Sequence, residues 1–230
     1  MTHTLFYESI RLNIKDGVWT IFMQIAKENI YMDNTIIKTG TLKKTAVFSK
    51  DMTKRYELTF CCEGGSKKQK SILIICLNPA SSDITITDTT TNYILNNLLP
   101  MGYTTITISN LYATICGKLK TKEIADNSDN IEYISDLLKN NYTSVLLGYG
   151  NTFTGNKKVN QAKEELEKVL KESKANVVEL VDKNDIYSRL KTIHPLFAGQ
   201  RFSGEWKFRK YVFHKESEES NAKSAVSKDN

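Results

Sequence analysis

Small polar residues and glycines follow several segments that the sequence predicts to be strands. An asparagine side chain offers both a hydrogen-bond donor and an acceptor, a histidine can donate to a carbonyl oxygen, and a glycine lets a ligand approach the backbone. These groups suit recognition of the edge of a nucleobase. In chain order, the set is Asn78 with Pro79, Asn110, Gly148 with Gly150, and His194 with Pro195.

Each of these residues also has a local structural interpretation. Asn-Pro is a common turn dipeptide, an asparagine can cap the loop after a strand, and glycines often serve only the turn. His194 before a proline can be satisfied by its own neighbours. The occurrence of the whole set at successive strand ends favours a pocket.

A serine nucleophile is a weaker hypothesis. Ser81 or Ser82, His194, and Asp83 or Asp88 could form a triad, but the serines lack the G-x-S-x-G turn that exposes a hydrolase nucleophile. The P-loop and the dinucleotide-binding G-x-G-x-x-G are also missing from the sequence. Three scattered histidines and four cysteines without paired spacing predict no metal site, no cofactor and reduced, structural cysteines.

Strand-like and helix-like segments alternate along the chain. The apolar run at 71–77 predicts a central strand buried on both faces, and further strands are predicted in TTITISNLYA, SVLLGYG and NVVELV. Helices are predicted at 88–99, with Asp88 as N-cap, at 128–140 and at 157–174. This alternation predicts an α/β fold with a mainly parallel central sheet and helices on both faces, preceded by a β-hairpin around 45–63. Ligands of such sheets bind at the carboxyl ends of the strands.

Composition predicts three regions. Residues 1–43 form an N-terminal extension or cap, 44–214 the α/β core domain, and 215–230 a disordered polar tail. No apolar run approaches the roughly 18 residues needed to span a bilayer, and no secretory signal is visible. We therefore expect a cytoplasmic protein without a membrane partner.

The net charge of +6 favours anionic partners, nucleic acid above all. Basic residues and aromatic residues interleave in RFSGEWKFRKYVFHK, residues 201–215. The aromatic residues are also explained by an amphipathic final strand. The cations predicted to contact a nucleic-acid backbone are Arg201, Lys207, Arg209 and Lys210.

The ordered motifs resemble the DUF1643 proteins, small bacterial and phage domains without an established function. The resemblance covers about residues 44–198, although the family often has Asn-Asp where this chain has Asn130 and Ile131. The matching motifs are AVFS at 46–49, RYEL at 55–58, LNPASSD at 77–83, Asp88, GY at 102–103, SNLYA at 109–113, Asn130, GYG at 148–150 and HPL at 194–196.

A more distant similarity is to the uracil-DNA glycosylase superfamily, and it implies a glycosylase-like α/β core. It implies that Asn78 or Asp83 positions or activates water, that Asn110 reads a flipped base, and that His194 stabilises charge on the departing base. The chain lacks the extended water-activating motif of the best-known members, so the resemblance allows a DNA glycosylase or an inactive DNA-binding relative. Further contacts to a base or ligand are expected from Pro79, Ser81, Asp88, Tyr112, Gly148 and Gly150.

Two other functions stay open at this point. One is a hydrolase or transferase that acts on a free nucleotide or another small metabolite in the same pocket. The other is a non-catalytic interaction protein of a mobile element, which would bind a protein partner through its N-terminal residues and its basic C-terminal segment.

Overall fold

A computed structural model describes residues 36, 38–63, 69–121, 124 and 127–213. Seven described strands form one sheet in the order β1-β2-β4-β3-β5-β6-β7. The strands are β1 (Thr41–Phe48), β2 (Arg55–Glu63), β3 (Lys70–Cys76), β4 (Tyr103–Asn110), β5 (Ser144–Leu147), β6 (Val177–Val181) and β7 (Lys207–Lys210).

The prediction of a mainly parallel sheet, with the architecture of the uracil-DNA glycosylases, is wrong. The sheet is mixed: β4, β3, β5 and β6 run parallel, but three of the six strand pairings, β1 with β2, β2 with β4 and β6 with β7, are antiparallel. The predicted hairpin exists, but it does not stand apart as an extension, because the free edge of β2 pairs with β4. Hydrophobic periodicity identifies strands without showing which edges will pair.

The described helices are α1 (Thr89–Leu98), α2 (Ser128–Leu138), α3 (Lys157–Ser173) and α4 (Pro195–Arg201). The three predicted helices are confirmed to within a few residues. Asp88 caps α1, since its Oδ1 accepts a 2.7 Å hydrogen bond from the Thr91 N–H. None of the described helices is long and apolar enough to cross a membrane.

Two apolar clusters cover the sheet, and β3 contributes alternate side chains to each. Ile72 and Ile74 pack in one cluster with residues of α1 and α4, whereas Leu73 and Ile75 pack in the other with residues of α2 and α3. All four side chains are fully buried. Each contributes about 1.5–3 kcal/mol by leaving water, so β3 is the central buried strand that its sequence predicts.

Helices α1 and α4 pack closely against each other. A Cβ on Gly199 of α4 would lie 2.1 Å from the ring of Tyr93 in α1. Only glycine therefore allows this approach of the two helices.

The predicted domain boundaries stay predictions. Residues 1–35 of the proposed extension and the whole tail from 215 to 230 lie outside the described residues. The strand β1 begins at Thr41, so the last residues of the proposed extension already belong to the sheet.

Candidate ligand-binding cleft

A cleft of about 440 Å³ lies at the carboxyl ends of β3 and β4. The first turns of α1 and α4 and the first residue of β2 complete its wall. Its volume falls within the roughly 300–1,000 Å³ typical of small-molecule sites. The lining residues are Arg55, Cys76, Leu77, Asn78, Ala80, Asp88, Thr89, Thr90, Thr91, Ile94, Ile108, Asn110, Gly117, His194, Leu196 and Gln200.

Asn78 lines the cleft, but its amide nitrogen holds the loop together. Its Nδ2 donates to the carbonyl oxygen of Cys116 at 2.7 Å and lies 3.1 Å from the carbonyl oxygen of Pro79. A ligand can therefore use Oδ1 of Asn78 as an acceptor, while the donors serve the turn.

Asn110 ends β4 and is almost completely buried, with 1% of its surface exposed. Its Nδ2 has no hydrogen-bond partner among the described residues. Its backbone is fixed, because Nδ2 of the buried Asn130 donates to the Asn110 carbonyl oxygen at 2.9 Å. An unpaired buried amide costs free energy, and a ligand acceptor in the cleft would remove that cost.

His194 is the N-cap of α4 and lies at the cleft wall. Its Nδ1 accepts a 3.1 Å hydrogen bond from the Leu196 N–H, so Nδ1 carries no proton and Nε2 carries the hydrogen of the neutral ring. Burial lowers the pKa of His194 to about 4, although the nearby Asp88 carboxylate opposes this shift. At neutral pH the side chain is therefore an uncharged Nε2–H donor.

Arg55 brings a positive charge to the cleft from the start of β2. Only 8% of its surface is exposed, and its Nη1 donates to the Ser81 carbonyl oxygen at 3.1 Å. Its Nε has no hydrogen-bond partner among the described residues. Burial lowers the pKa of Arg55, and the charge of Asp88 opposes the shift.

Cys76 also lines the cleft, but its thiol is poorly suited to nucleophilic chemistry. Burial raises its pKa to about 12, so the unreactive thiol form dominates at neutral pH. All four cysteines of the chain are free of disulfides.

Six predicted site residues, Gly148 and Gly150 among them, do not line the cleft. Pro79 is buried in the loop, Ser81 is exposed and offers its carbonyl to Arg55, and Tyr112 packs in the apolar cluster on the other face of the sheet. Asp83 is exposed, and the hydrogen bonds that its carboxylate accepts from Thr85 lower its pKa.

Gly148 and Gly150 position the His194 segment instead of lining the cleft. A Cβ on Gly148 would lie 2.9 Å from Cδ of Pro195. Gly150 has a φ of +75°, and its N–H donates to the Thr192 carbonyl oxygen at 2.7 Å. The two glycines let the segment before α4 pack directly on the end of β5.

The predicted backbone-binding cations differ in availability. Arg201, Lys207 and Lys210 are exposed, whereas the partly buried Arg209 donates through Nε to Glu179 at 3.0 Å. The aromatic residues of this segment belong to the core, since Trp206 and Tyr211 are 3% and 5% exposed. The final-strand interpretation is therefore confirmed, and these two rings are not free to stack on bases.

A family model described as a protein of unknown function, DUF1643, matches residues 55–196, more than half of the chain. The chain belongs to the DUF1643 family. No curated protein matches it.

One solved structure with some similarity to this DUF1643 protein is an aminopeptidase from a marine sediment archaeon, Thaumarchaeota archaeon. The identity is 14% and the TM-score 0.26, over 52% of this chain and 24% of that one. The match thus spans about a quarter of the aminopeptidase.

Sequence reasoning missed the contribution of Arg55 and of the α1 threonines to the cleft. The signal was present for Arg55, because the first residue of an antiparallel strand lies at the same sheet edge as the carboxyl ends of the parallel strands. Use of this signal required knowledge that β2 pairs with β4. The contribution of Thr89 and Thr90 could have been inferred from the predicted N-terminus of α1, because the first N–H groups of a helix have no partner within the helix.

Proposed function

We propose that the cleft binds a nucleobase, carried by a nucleotide or by a strand of nucleic acid. The observation that supports this best is the meeting of two uncommitted donors, the Asn110 Nδ2 and the His194 Nε2–H, in one cleft. Carbonyl oxygens on the edge of a base are their natural acceptors. The Oδ1 of Asn78 supplies an acceptor for a ring N–H or an amino group.

The cleft groups also suit hydrolysis of an N-glycosidic bond. In this proposal, Asp88 accepts a proton from water as the water oxygen bonds to the anomeric carbon and the bond from that carbon to the base breaks. The base leaves with the bonding electrons, and the neutral His194 donates a hydrogen bond to its carbonyl oxygen. In this proposal Asp88 takes the role that the glycosylase similarity implied for Asn78 or Asp83, because Asp88 is a carboxylate that lines the cleft and Asp83 does not line it.

The charge of the chain supports a nucleic acid as the source of the base. The net charge is +6, and Arg201, Lys207 and Lys210 are exposed. Phosphate contacts give affinity that falls steeply with salt. A free nucleotide is the other source of the base, and a small metabolite without a base is the competing ligand.

Binding and cleavage assays test the proposal. Bases, nucleosides, nucleotides and uracil-containing single- and double-stranded DNA are titrated at low and physiological salt, and the DNA is then examined for abasic sites. Binding without abasic sites would indicate a base-binding protein, whereas abasic sites that Asp88→Asn abolishes would indicate a glycosylase. Lack of binding to every base-containing probe would refute the proposal.

A further inference from the structure

Arg55 is a buried cation without a close anionic partner. Its side chain makes no ion pair within 4.0 Å with the described residues, and one of its nitrogens, Nε, is buried and unpaired. A charge held in a protein interior is costly unless it is paired and hydrogen-bonded. Because Arg55 lines the cleft, an anion bound there would supply the missing partner.

The first turn of α1 meets Arg55 in the same cleft. The helix has ten residues, and Thr89 and Thr90, its first two, line the cleft. The N–H groups of these two residues have no carbonyl acceptor within the helix. The Thr91 N–H, in contrast, already donates to Asp88. Free N–H groups at a helix N-terminus, with the positive end of the helix dipole, favour a phosphate.

We infer that the cleft takes its ligand as a phosphate ester, with the phosphate held by Arg55 and the first turn of α1. This inference rests on the proposed function, since it assigns the base to Asn110 and His194 and the phosphate to Arg55 and α1. The ligand is then a nucleotide, either free or within a strand. A planar guanidinium can bond two phosphate oxygens at once, and Nε is one of the donors that such a contact uses.

Asp88 disfavours binding of a phosphate in the cleft. Its carboxylate caps α1 by accepting a hydrogen bond from the Thr91 N–H and lines the same cleft, so it repels an anion bound there. Asparagine caps helices as well as aspartate does. Asp88→Asn should therefore keep α1 intact and tighten phosphate binding severalfold, while removing the base for water.

Calorimetric titration with matched probes tests the phosphate site. The probes are the common nucleosides, their 5′-monophosphates, ribose 5-phosphate and a short uracil-containing single strand. We expect the monophosphates or the strand to bind at least tenfold more tightly than the nucleosides, and the stronger of the two identifies the source of the phosphate.

Two variants remove the contacts separately. Arg55→Gln should abolish the advantage of the monophosphate over the nucleoside, whereas the exposed Arg189→Gln, which changes the net charge equally, should retain it. Thr89→Pro deletes one N–H at a helix position where proline is favoured, and Asp88 before it already has an extended backbone. Thr89→Pro should weaken binding of the monophosphate and leave binding of the nucleoside unchanged. It also provides the test of the phosphate site if Arg55→Gln does not fold.

The outcomes separate the inference from the proposed function. If neither the monophosphates nor the strand binds more tightly than the nucleosides, or if the affinity ratio is unchanged in both Arg55→Gln and Thr89→Pro, the phosphate site is overturned and base binding stands. Binding of ribose 5-phosphate as tight as that of every nucleotide would support the phosphate site and refute recognition of the base. No binding of any probe would overturn both.

Discussion

The backbone N–H of Leu196 donates a hydrogen bond to Nδ1 of His194 over 3.1 Å. This bond assigns the ring hydrogen to Nε2 and makes His194 both the cap of α4 and a neutral donor in the cleft. Protonation of Nδ1 would turn the accepting nitrogen into a donor and break the cap. The tautomer and the local fold therefore depend on each other.

The neutral His194 predicts a pH dependence of stability. Its pKa is about 4 in the folded protein and 6.5 in a free histidine, so the unfolded state binds the proton first as the pH falls. The contribution is constant above about pH 6.5 and is lost between pH 6.5 and pH 4, by on the order of 3 kcal/mol. Urea unfolding of the wild type and of His194→Asn, which keeps a capping side chain, measures this loss.

The two proteins should differ most in the slope of stability against pH between 6.5 and 4. His194→Asn has no titrating group at this cap, so its free energy of unfolding should fall less steeply in that window. Parallel profiles for the two proteins would show that His194 titrates normally in the folded state.

Asn110→Asp tests the direction of the hydrogen bonds to the base. The change replaces a donating amide by an accepting carboxylate, so bases with a carbonyl at that position should lose affinity relative to bases with an amino group. A swing of about tenfold in the uridine-to-cytidine affinity ratio is expected from one reversed buried hydrogen bond. The exposed Asn160→Asp on α3 is the control, and an unchanged ratio in Asn110→Asp would exclude its contact with the base.

Gly148→Ala tests the positioning of His194. The new methyl group would lie 2.9 Å from Cδ of Pro195 and must push the segment before α4 away from β5. We expect a loss of about 1–3 kcal/mol in the free energy of unfolding together with weaker nucleoside binding. Gly40→Ala, where a Cβ meets nothing within 4 Å, should change neither, and a fully stable Gly148→Ala with normal binding would contradict the account.

Ser81→Ala and Ser82→Ala test whether a serine acts as a nucleophile. Neither serine lines the cleft, and the Ser81 hydroxyl accepts a hydrogen bond from the Asp83 N–H at 3.0 Å. Both variants should bind ligand, and turn over any substrate, within about twofold of the wild type. Loss of turnover with binding intact in either variant would restore the nucleophile hypothesis.

The sequence predicted the elements better than their assembly. The apolar run of β3, the Asp88 cap of α1 and the hairpin of β1 and β2 were visible because each depends on neighbouring residues. The attachment of β2 to β4 was not, because strand edges carry backbone groups that are the same in every sequence.

In the candidate site, too, the features that depend on neighbouring residues were predicted and those that depend on strand assembly were not. Asn78, Asn110 and His194 could be selected because strand ends and capping positions are local, and the structure places all three in one cleft. The exclusion of Tyr112 from that cleft depends on which face of the sheet its side chain joins. The position of Arg55 in the cleft depends on the pairing of β2 with β4.

Nitrogen-15 NMR of the side chains tests whether Asn110 and His194 contact a bound base. At pH 7, the ring of His194, assigned by its loss in His194→Asn, should show hydrogen on Nε2 and none on Nδ1. Saturating nucleotide should shift both that Nε2–H signal and the side-chain amide of Asn110. Unmoved signals for both groups with every base, nucleoside and nucleotide would contradict a base-binding cleft.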